Sequence, residues 1–305
     1  MIKIGIVNID TSHPSGFGDI ILENDRACVY GVYNDGFRTE EEVNDYLKKY
    51  KVNFRAKSIK ELAQKVDVGF VQSCNWDNHI AQAMPFIEAG KPVFFDKPIV
   101  GNYKDCLKVE QLVKEGAKIF GSSSLRYCYE VQDYFKIPED DRGEILSIFS
   151  SLGVDEFNYG VHLMELVGGF KPSGAESVRY LGENKGSNQY YVKYSDGLKV
   201  IYQTYAGAWM PFTCQINTTK KVYQVKIDNT RIYRALLERI FDYLENGAAM
   251  ASIGELTETI KIYLAGKKSK ENAGVETKLS SLNQNDTGFD GSVFEKQYAL
   301  ANKRK

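Results

Sequence analysis

The first 121 residues alternate short apolar runs with longer stretches in which apolar residues recur at helical spacing. Strands that are apolar almost throughout and are separated by helices predict a parallel sheet covered on both faces. This part of the chain is therefore predicted to adopt a doubly wound, Rossmann-like α/β fold. The predicted strands are 2–7, 27–34, 67–73, 92–96 and 117–121, and the helices begin near Pro14, after Thr39 and Ser58, and at His79 and Tyr103.

The pattern changes after residue 122. A helix near 127–135, a strand at 144–150 and a helix over 155–167 precede several runs of period-two alternation. Ser195-Asp196-Gly197 reads as a hairpin turn between two of these runs, so the sheet is predicted to be mainly antiparallel. We therefore expect two domains, 1–121 and an α+β domain over 122–305. The alternating strands are 176–181, 188–194, 198–206, 212–219 and 222–227, followed by helices at 231–245 and 254–264 and a polar, irregular tail.

The alternating strands are rich in tyrosine, which has an apolar body and a polar tip. These residues could line a substrate cleft. A half-exposed sheet face or a subunit interface is the preferred interpretation. The tyrosines concerned are Tyr190, Tyr191, Tyr194, Tyr202 and Tyr205.

Composition and charge narrow the function classes. The 305 residues are 43% hydrophobic and 26% charged, with a formal net charge of −1. That balance argues against nucleic acid as a partner, because a protein that binds the phosphate backbone needs an excess of clustered Lys and Arg. No apolar run approaches the length of a membrane span, and the N-terminal apolar run is too short for a signal peptide. The five cysteines are widely spaced and show no paired pattern, which argues against a disulfide scaffold, and three histidines offer few ligands for a metal site. Because a protein without disulfides is typical of a reducing compartment, a cytoplasmic location is expected.

Asp96-Lys97-Pro98 stands at the C-terminal end of the predicted strand 92–96. Ligands of doubly wound sheets lie outside the carboxyl ends of the strands, so Lys97 is predicted to point into the crevice. Burial there would lower its pKa and suit it to proton transfer. A solvated lysine in a strand-to-helix turn is the alternative.

Asn158, Gly160, His162 and Glu165 fall on one predicted helix. Spacings of four and three residues place Asn158, His162 and Glu165 on one face. A carboxylate within reach fixes the tautomer of an imidazole. A histidine satisfied by local hydrogen bonds beneath the sheet is an equally good interpretation.

Together these two motifs resemble the Gfo/Idh/MocA oxidoreductases, NAD(P)-dependent enzymes that act on sugars, inositols and related polyols. The family's Glu-Lys-Pro motif corresponds to Asp96-Lys97-Pro98. Its Asp-x-Gly-x-His-x-x-Asp motif corresponds to the segment from Asn158 to Glu165. Further similarity is found at His79, at 90–93 and from Gly121 to Arg126, and the resemblance weakens after about residue 250.

The resemblance implies NAD, or NADP, as the cofactor, but the family's Gly-x-Gly-x-x-Gly loop is absent. Asn8, Asp10 and His13 occupy the three glycine positions. The side chains of 11–13 can donate hydrogen bonds, and the helix that starts at Pro14 favours an anion at its N-terminus. Asn34 and Asp35 lie where the family often holds the adenosine ribose. The other residues implied to contact the cofactor are Thr11, Ser12, Ser73, Asn75, His79, Asp96, Lys97, Pro98 and Arg126.

The resemblance also implies a reaction, the transfer of a hydride between nicotinamide and a carbinol carbon. His162 would move the hydroxyl proton, Lys97 would polarise the oxygen and Asn158 would orient it, while Glu165 would steady the imidazole. Two alternatives remain open: a non-catalytic sugar- or nucleotide-binding regulatory relative, and an NAD-assisted glycosidase or lyase. The expected partners are a small-molecule substrate and further copies of the chain in a homodimer or homotetramer.

Overall fold

The computed structural model describes residues 1–121 and 123–302, and its first half is built on a six-stranded parallel sheet. The strand order is β3-β2-β1-β4-β5-β6, the doubly wound arrangement predicted for this half. Because β1 and β4 lie side by side at the centre, the chain reverses its winding direction there, which is where such sheets bind ligands. The strands are β1 Ile2–Val7, β2 Ala27–Tyr33, β3 Phe54–Arg55, β4 Val68–Val71, β5 Val93–Phe95 and β6 Ile119–Gly121.

Helices cover both faces of this sheet. A capping box formed by Thr39 and Glu42 is present at the start of α2, and Ser58 accepts a hydrogen bond from the backbone N–H of Glu61 at the start of α3. Each cap satisfies backbone donors that the first helical turn leaves without partners. The helices are α1 His13–Leu22, α2 Glu40–Lys49, α3 Ile59–Lys65, α4 His79–Glu88 and α5 Tyr103–Lys114.

The second half is built on a seven-stranded sheet of order β12-β11-β7-β10-β9-β8-β13. Its pairings are antiparallel except that β10 runs parallel to β7, so the sheet is mixed although mainly antiparallel, as predicted. Its strands are β7 Ile145–Val154, β8 Ala175–Asn184, β9 Ser187–Tyr194, β10 Lys199–Ala206, β11 Thr213–Thr218, β12 Val222–Lys226 and β13 Thr277–Lys278. The helices are α6 Tyr129–Lys136, α7 Glu139–Arg142, α8 Gly160–Phe170, α9 Ile232–Asn246, α10 Ile253–Glu271 and α11 Gly291–Asn302.

The tyrosine-rich strands contribute to both faces of this sheet. Tyr190, Tyr194 and Tyr202 are buried in the core, where Tyr202 packs against Tyr263 of α10 at a ring separation of 5.1 Å. Tyr191 and Tyr205 point to the opposite face and are half-buried. Successive side chains of a strand alternate between faces, so only part of this tyrosine set reaches the exposed face.

Two predicted elements differ from the structure. The helix expected over 155–167 begins only at Gly160, because residues 156–159 form a turn in which Asp155 Oδ1 accepts hydrogen bonds from two backbone N–H groups. The tail expected to be irregular contains the twelve-residue helix α11, at whose start Asp290 accepts a hydrogen bond from the backbone N–H of Val293. Among the described residues, none of the helices has the length and apolar character needed to span a bilayer.

Candidate functional site

A cavity of about 200 Å³ lies at the carboxyl edge of the parallel sheet, between that edge and the second half of the chain. The predicted site residues that line it are Thr11, Ser12, His13, Ser73, Asp96, Lys97, Asn158 and His162. Residues from both predicted domains therefore meet in one cavity. The wall also contains residues that no local motif indicated, among them Tyr159, Trp209, Phe212, Tyr233, Phe294 and Tyr298.

Lys97 is held next to Asn158. Its ammonium Nζ donates to the side-chain Oδ1 and to the backbone oxygen of Asn158, at 3.1 Å each. Burial lowers the pKa of the Lys97 ammonium, and the negative charge of Asp96 partly opposes that shift. A lysine with a lowered pKa exchanges its proton more readily, as a group that polarises a substrate oxygen needs to.

His162 lies in the first turn of α8 and is 5% exposed. Its Nδ1 lies 2.5 Å from the hydroxyl Oγ of Ser123, a partner that sequence reasoning missed because it precedes His162 by 39 residues. Burial and the positive charges of Lys97 and His13 hold the pKa of His162 well below its ordinary value. The imidazole is therefore neutral near neutral pH, the form that accepts a proton.

His13 forms a second polar pair in the cavity. Its Nδ1 lies 2.7 Å from Asp96 Oδ2, while the backbone N–H of Lys97 donates to Asp96 Oδ1 at 2.8 Å. Burial raises the pKa of Asp96, but the charges of His13 and Lys97 and the hydrogen bonds outweigh it and lower that pKa. The rings of His13 and His162 are 6.5 Å apart, so two imidazoles border the same small volume.

The role expected for Glu165 is corrected by the structure. Its carboxylate accepts from Arg126, with Nε to Oε2 at 2.8 Å and Nη2 to Oε1 at 3.2 Å, and both side chains are at most 4% exposed. A buried carboxylate needs a nearby cation, and Arg126 supplies a bidentate one. The hydrogen bond to the imidazole that we expected from Glu165 is made instead by Ser123. Arg126, expected at the cofactor, is engaged beneath α8, where it also donates to the backbone oxygen of Gly168.

The loop after β1 keeps its bend without glycine. Asn8 adopts a left-handed conformation with φ of 66°, which asparagine tolerates better than most residues. Its side chain joins three strand ends by donating to Ser73 Oγ at 3.0 Å and accepting from the backbone N–H of Asp35 at 2.9 Å. Asn34 Oδ1 in turn accepts from the backbone N–H of Ile9. Asn8 and Asn34 therefore hold the loop itself.

The carboxylate of Asp10 contacts the loop after β4 and the turn after β2. Its Oδ2 accepts from the backbone N–H of Cys74 at 3.2 Å, and its Oδ1 lies so close to Gly36 that a side chain at 36 would collide with it. Burial raises the pKa of Asp10 to about 6. Protonation therefore weakens the repulsion between this carboxylate and a phosphate near α1 only as pH falls towards 6, whereas its hydrogen bond to Cys74 directs it to the loop after β4 at any pH.

His79 and Asn75 do not line the cavity. His79 is buried, with its two ring nitrogens 3.1 Å and 3.0 Å from the backbone oxygens of Ile99 and Ser73. It therefore ties the loop after β4 to the loop after β5. Asn75 caps the turn that follows β4 by accepting from the backbone N–H of Asp77. Within residues 1–121 and 123–302, no three His, Cys, Asp or Glu side chains come together as a metal site.

The comparisons with known proteins agree with this architecture. Residues 4–123 match the Gfo/Idh/MocA family, described as an oxidoreductase family with an NAD-binding Rossmann fold. The matched segment contains Asp96-Lys97-Pro98, so the resemblance to this family is confirmed over the first part of the chain. No curated protein sequence matches the chain.

Solved structures extend the likeness beyond the parallel sheet. A myo-inositol dehydrogenase from Corynebacterium glutamicum superposes with a TM-score of 0.80 at 12% identity, over 92% of this chain and 99% of that chain. A scyllo-inositol dehydrogenase from Lactobacillus casei, solved with NAD(H) and scyllo-inositol, gives 0.76 at 16% identity, over 92% and 100%. At such identities the likeness shows a common fold across both halves.

Proposed function

We propose that the chain is an NAD(P)-dependent oxidoreductase that transfers a hydride between nicotinamide and a carbinol of a sugar, inositol or related polyol. The observation that carries the proposal is the meeting of Lys97, Asn158 and His162 in one cavity at the carboxyl edge of the parallel sheet. Burial favours the uncharged forms of both Lys97 and His162. Such groups suit proton exchange with a hydroxyl.

The residues divide the proton chemistry between them. Neutral His162 accepts the hydroxyl proton during oxidation and returns it during reduction, while its other ring nitrogen is held by Ser123. Lys97 donates a hydrogen bond to the reacting oxygen, and Asn158 positions Lys97 through its side-chain oxygen. Because Asn158 is neutral, it orients the hydroxyl without stabilising a charged imidazole.

The residues at the sheet edge fit a dinucleotide in chemical type. Helix α1 presents its N-terminus beside Thr11 and Ser12, and such termini bind phosphates. Asp35 follows β2, where an acidic side chain binds the adenosine ribose. The Asp10 carboxylate, the obvious obstacle, faces Cys74 instead. A bound nicotinamide would supply the hydride acceptor or donor.

A nucleotide and substrate screen tests this proposal. Mass spectrometry of the purified protein and calorimetric titration with NADH and NADPH would detect cofactor binding. A panel of inositols and aldoses would then be assayed for absorbance change in both directions. The inositols come first because two of the proteins of similar fold are inositol dehydrogenases. Absence of binding at millimolar NADH and NADPH would overturn the oxidoreductase proposal.

A non-catalytic binding role is the second candidate. It is favoured by the three missing glycines at positions 8, 10 and 13 and by the neutral Asn158 in place of a carboxylate. A sugar-binding relative would bind members of the same panel without nucleotide. An NAD-assisted lyase, by contrast, would retain nucleotide and convert substrate with no net change in NADH.

A further inference from the structure

Helix α11 lies across the carboxyl edge of the parallel sheet. At its start, the backbone N–H of Gly291 donates to Asp77 Oδ2 at 2.8 Å, in the turn that follows β4. At its far end, the ring of Tyr298 packs on Phe37, just beyond β2, with ring centroids 6.2 Å apart. Strands β2, β1 and β4 are neighbours in the sheet, so α11 passes over the loop that follows β1.

The central part of α11 contacts the residues between those two ends. Phe294 packs on Trp76 with ring centroids 5.2 Å apart. Glu295 follows Phe294 directly, and its Oε2 accepts a hydrogen bond from Asn75 Nδ2 at 3.4 Å. Phe294 and Tyr298 also form part of the wall of the cavity that contains Lys97 and His162. The helix thus sets two aromatic rings and an acid along the sheet edge.

This path is the one that a dinucleotide follows in a doubly wound sheet. The ribose binds after β2, the pyrophosphate at the N-terminus of α1 and the nicotinamide near the ends of the central strands. In the present structure Tyr298 stands on the β2 side and Phe294 on the β4 side. The cavity of about 200 Å³ that α11 borders is smaller than the pockets that hold drug-sized ligands. A second cavity of about 520 Å³ beside Thr11, Ser12 and Arg38 is not lined by α11. A dinucleotide and α11 therefore compete at the part of the path that Phe294 and Tyr298 cover.

The packing of α11 is shallow. Apart from Gly291 its residues are at least partly exposed, and Val293 and Leu300 are 48% and 58% exposed. Only the face that carries Phe294 and Tyr298 rests on the sheet edge. A helix with so little buried apolar surface is released at a lower cost than a core helix.

The segment just before α11 is held more firmly. The Phe289 ring stacks on Phe157 with centroids 3.9 Å apart. Its backbone oxygen accepts from Trp76 Nε1, and its N–H donates to the Gly101 oxygen, both at 2.8 Å. Release of the helix would therefore leave the chain tethered at Phe289.

We propose that α11 is an autoinhibitory strap, which covers the dinucleotide crevice through Phe294 and Tyr298 and leaves it when NAD(H) binds. The proposal rests on the proposed function, since it needs a nucleotide for the crevice. Strap and nucleotide compete for one surface, so the apparent affinity for NADH is the intrinsic affinity multiplied by the fraction of molecules in which the strap is open.

The test compares full-length variants in calorimetric titrations with NADH. Phe294→Ala combined with Tyr298→Ala weakens the closed strap, and we expect the Kd for NADH to fall roughly tenfold or more. Val293→Ala combined with Leu300→Ala changes the exposed side of the same helix and should leave the Kd unchanged. Hydrogen exchange of the unaltered protein should show faster exchange over 291–302 and slower exchange over 8–13 when NADH is added.

The outcomes separate the strap from the proposed function. Equal NADH affinity in the original chain and the Phe294/Tyr298 variant overturns the strap and leaves the oxidoreductase proposal standing. Weaker binding in that variant also overturns it, since the two rings would then belong to the nucleotide site. No binding by any of the three proteins overturns both proposals. Slower exchange over 291–302 on adding NADH contradicts release of the helix.

Discussion

At the scale of single residues, the cavity holds more potential positive charge than negative. Lys97, His13 and His162 face one buried carboxylate, Asp96. The pairing of His13 with Asp96 satisfies that carboxylate, and burial together with the two neighbouring cations keeps His162 neutral. The imidazole of His162 is therefore available as a proton acceptor.

Replacing Asn158 with Asp puts a carboxylate next to the Lys97 ammonium, because Asn158 Oδ1 lies 3.1 Å from Lys97 Nζ. A negative neighbour favours the charged forms of Lys97 and His162, so the pKa of His162 should rise. Neutral imidazole is the active form for alcohol oxidation, so the acidic limb of the pH–rate profile should move to higher pH.

Histidine NMR would follow the Asn158→Asp change without an assay, because the chain has three histidines. Asn158→Leu, which adds no charge, is the matched control. An acidic limb that stays in place or moves to lower pH would show that Asn158 and His162 are not electrostatically coupled.

Lys97→Met tests the second proton-handling group. Methionine keeps an unbranched stem without the ammonium, so we expect the fold to persist and turnover to fall by roughly 10²-fold or more. Circular dichroism would check the fold, and Lys104→Met, at an exposed position of α5, provides the control. If Lys97→Met turned over substrate as fast as the original protein, Lys97 would have no role in proton transfer.

The His13–Asp96 pair predicts a pH-dependent stability. The pKa of Asp96 is lowered in the folded protein, so the pair contributes stability above the ordinary Asp range, and that contribution is lost as pH falls through the folded pKa. His13→Ala should lower the free energy of unfolding at neutral pH by roughly 1–3 kcal/mol. The difference should shrink in acid. Urea unfolding at both pH values measures it, and a difference that persists in acid would point to packing of the His13 ring instead.

At the scale of elements, the strands of the parallel sheet could be predicted from local runs of apolar residues. Each of its strands except the two-residue β3 lies within or close to a predicted apolar run, because a strand buried on both faces is apolar throughout. The start of α8 was missed because the turn before it depends on the Asp155 side chain, which competes with the helix for backbone donors. Helix α11 was missed because its apolar residues do not form one buried face: Phe294 and Tyr298 are half-buried, whereas Val293 and Leu300 are exposed.

The buried ion pair between Arg126 and Glu165 joins the turn at 124–127 to α8. Glu165→Gln leaves the guanidinium of Arg126 buried without its counter-charge, so we expect a loss of about 3–5 kcal/mol in the free energy of unfolding. Because Ser123 holds the His162 ring, the acidic limb of the pH–rate profile should stay in place. A shifted limb at unchanged stability would restore the role first expected for Glu165.

At the scale of the whole molecule, the two halves are interleaved. Helix α9 follows the second sheet in sequence, yet its buried residues Leu237 and Phe241 pack in one cluster with Ile4 and Ile6 of β1. Arg26 also pairs with Asp242 of α9 at 2.7 Å. No local pattern shows such long-range packing, and for the same reason the cavity walls from Trp209, Phe212 and Tyr298 could not be predicted.

The outer face of the second sheet carries a row of apolar side chains across three neighbouring strands. Ile201 of β10 is paired with Phe149 of β7 on one side and with Tyr191 of β9 on the other. Phe149 is 37% exposed, and the other two are half-buried. A contiguous apolar row on an open sheet face is typical of a protein interface, and the family resemblance implies a dimer or tetramer.

We therefore expect this face to pack against the same face of a second copy, as a two-fold interface requires. Phe149→Glu combined with Ile201→Glu places four carboxylates in the shared face of a dimer, which should dissociate it to monomers. Val275→Glu introduces the same charge at a residue that is 64% exposed, outside this row, and should leave the assembly intact. Light scattering coupled to size exclusion gives the mass directly. A monomeric original protein, or an assembly that survives the double change, would show that copies do not meet through this face.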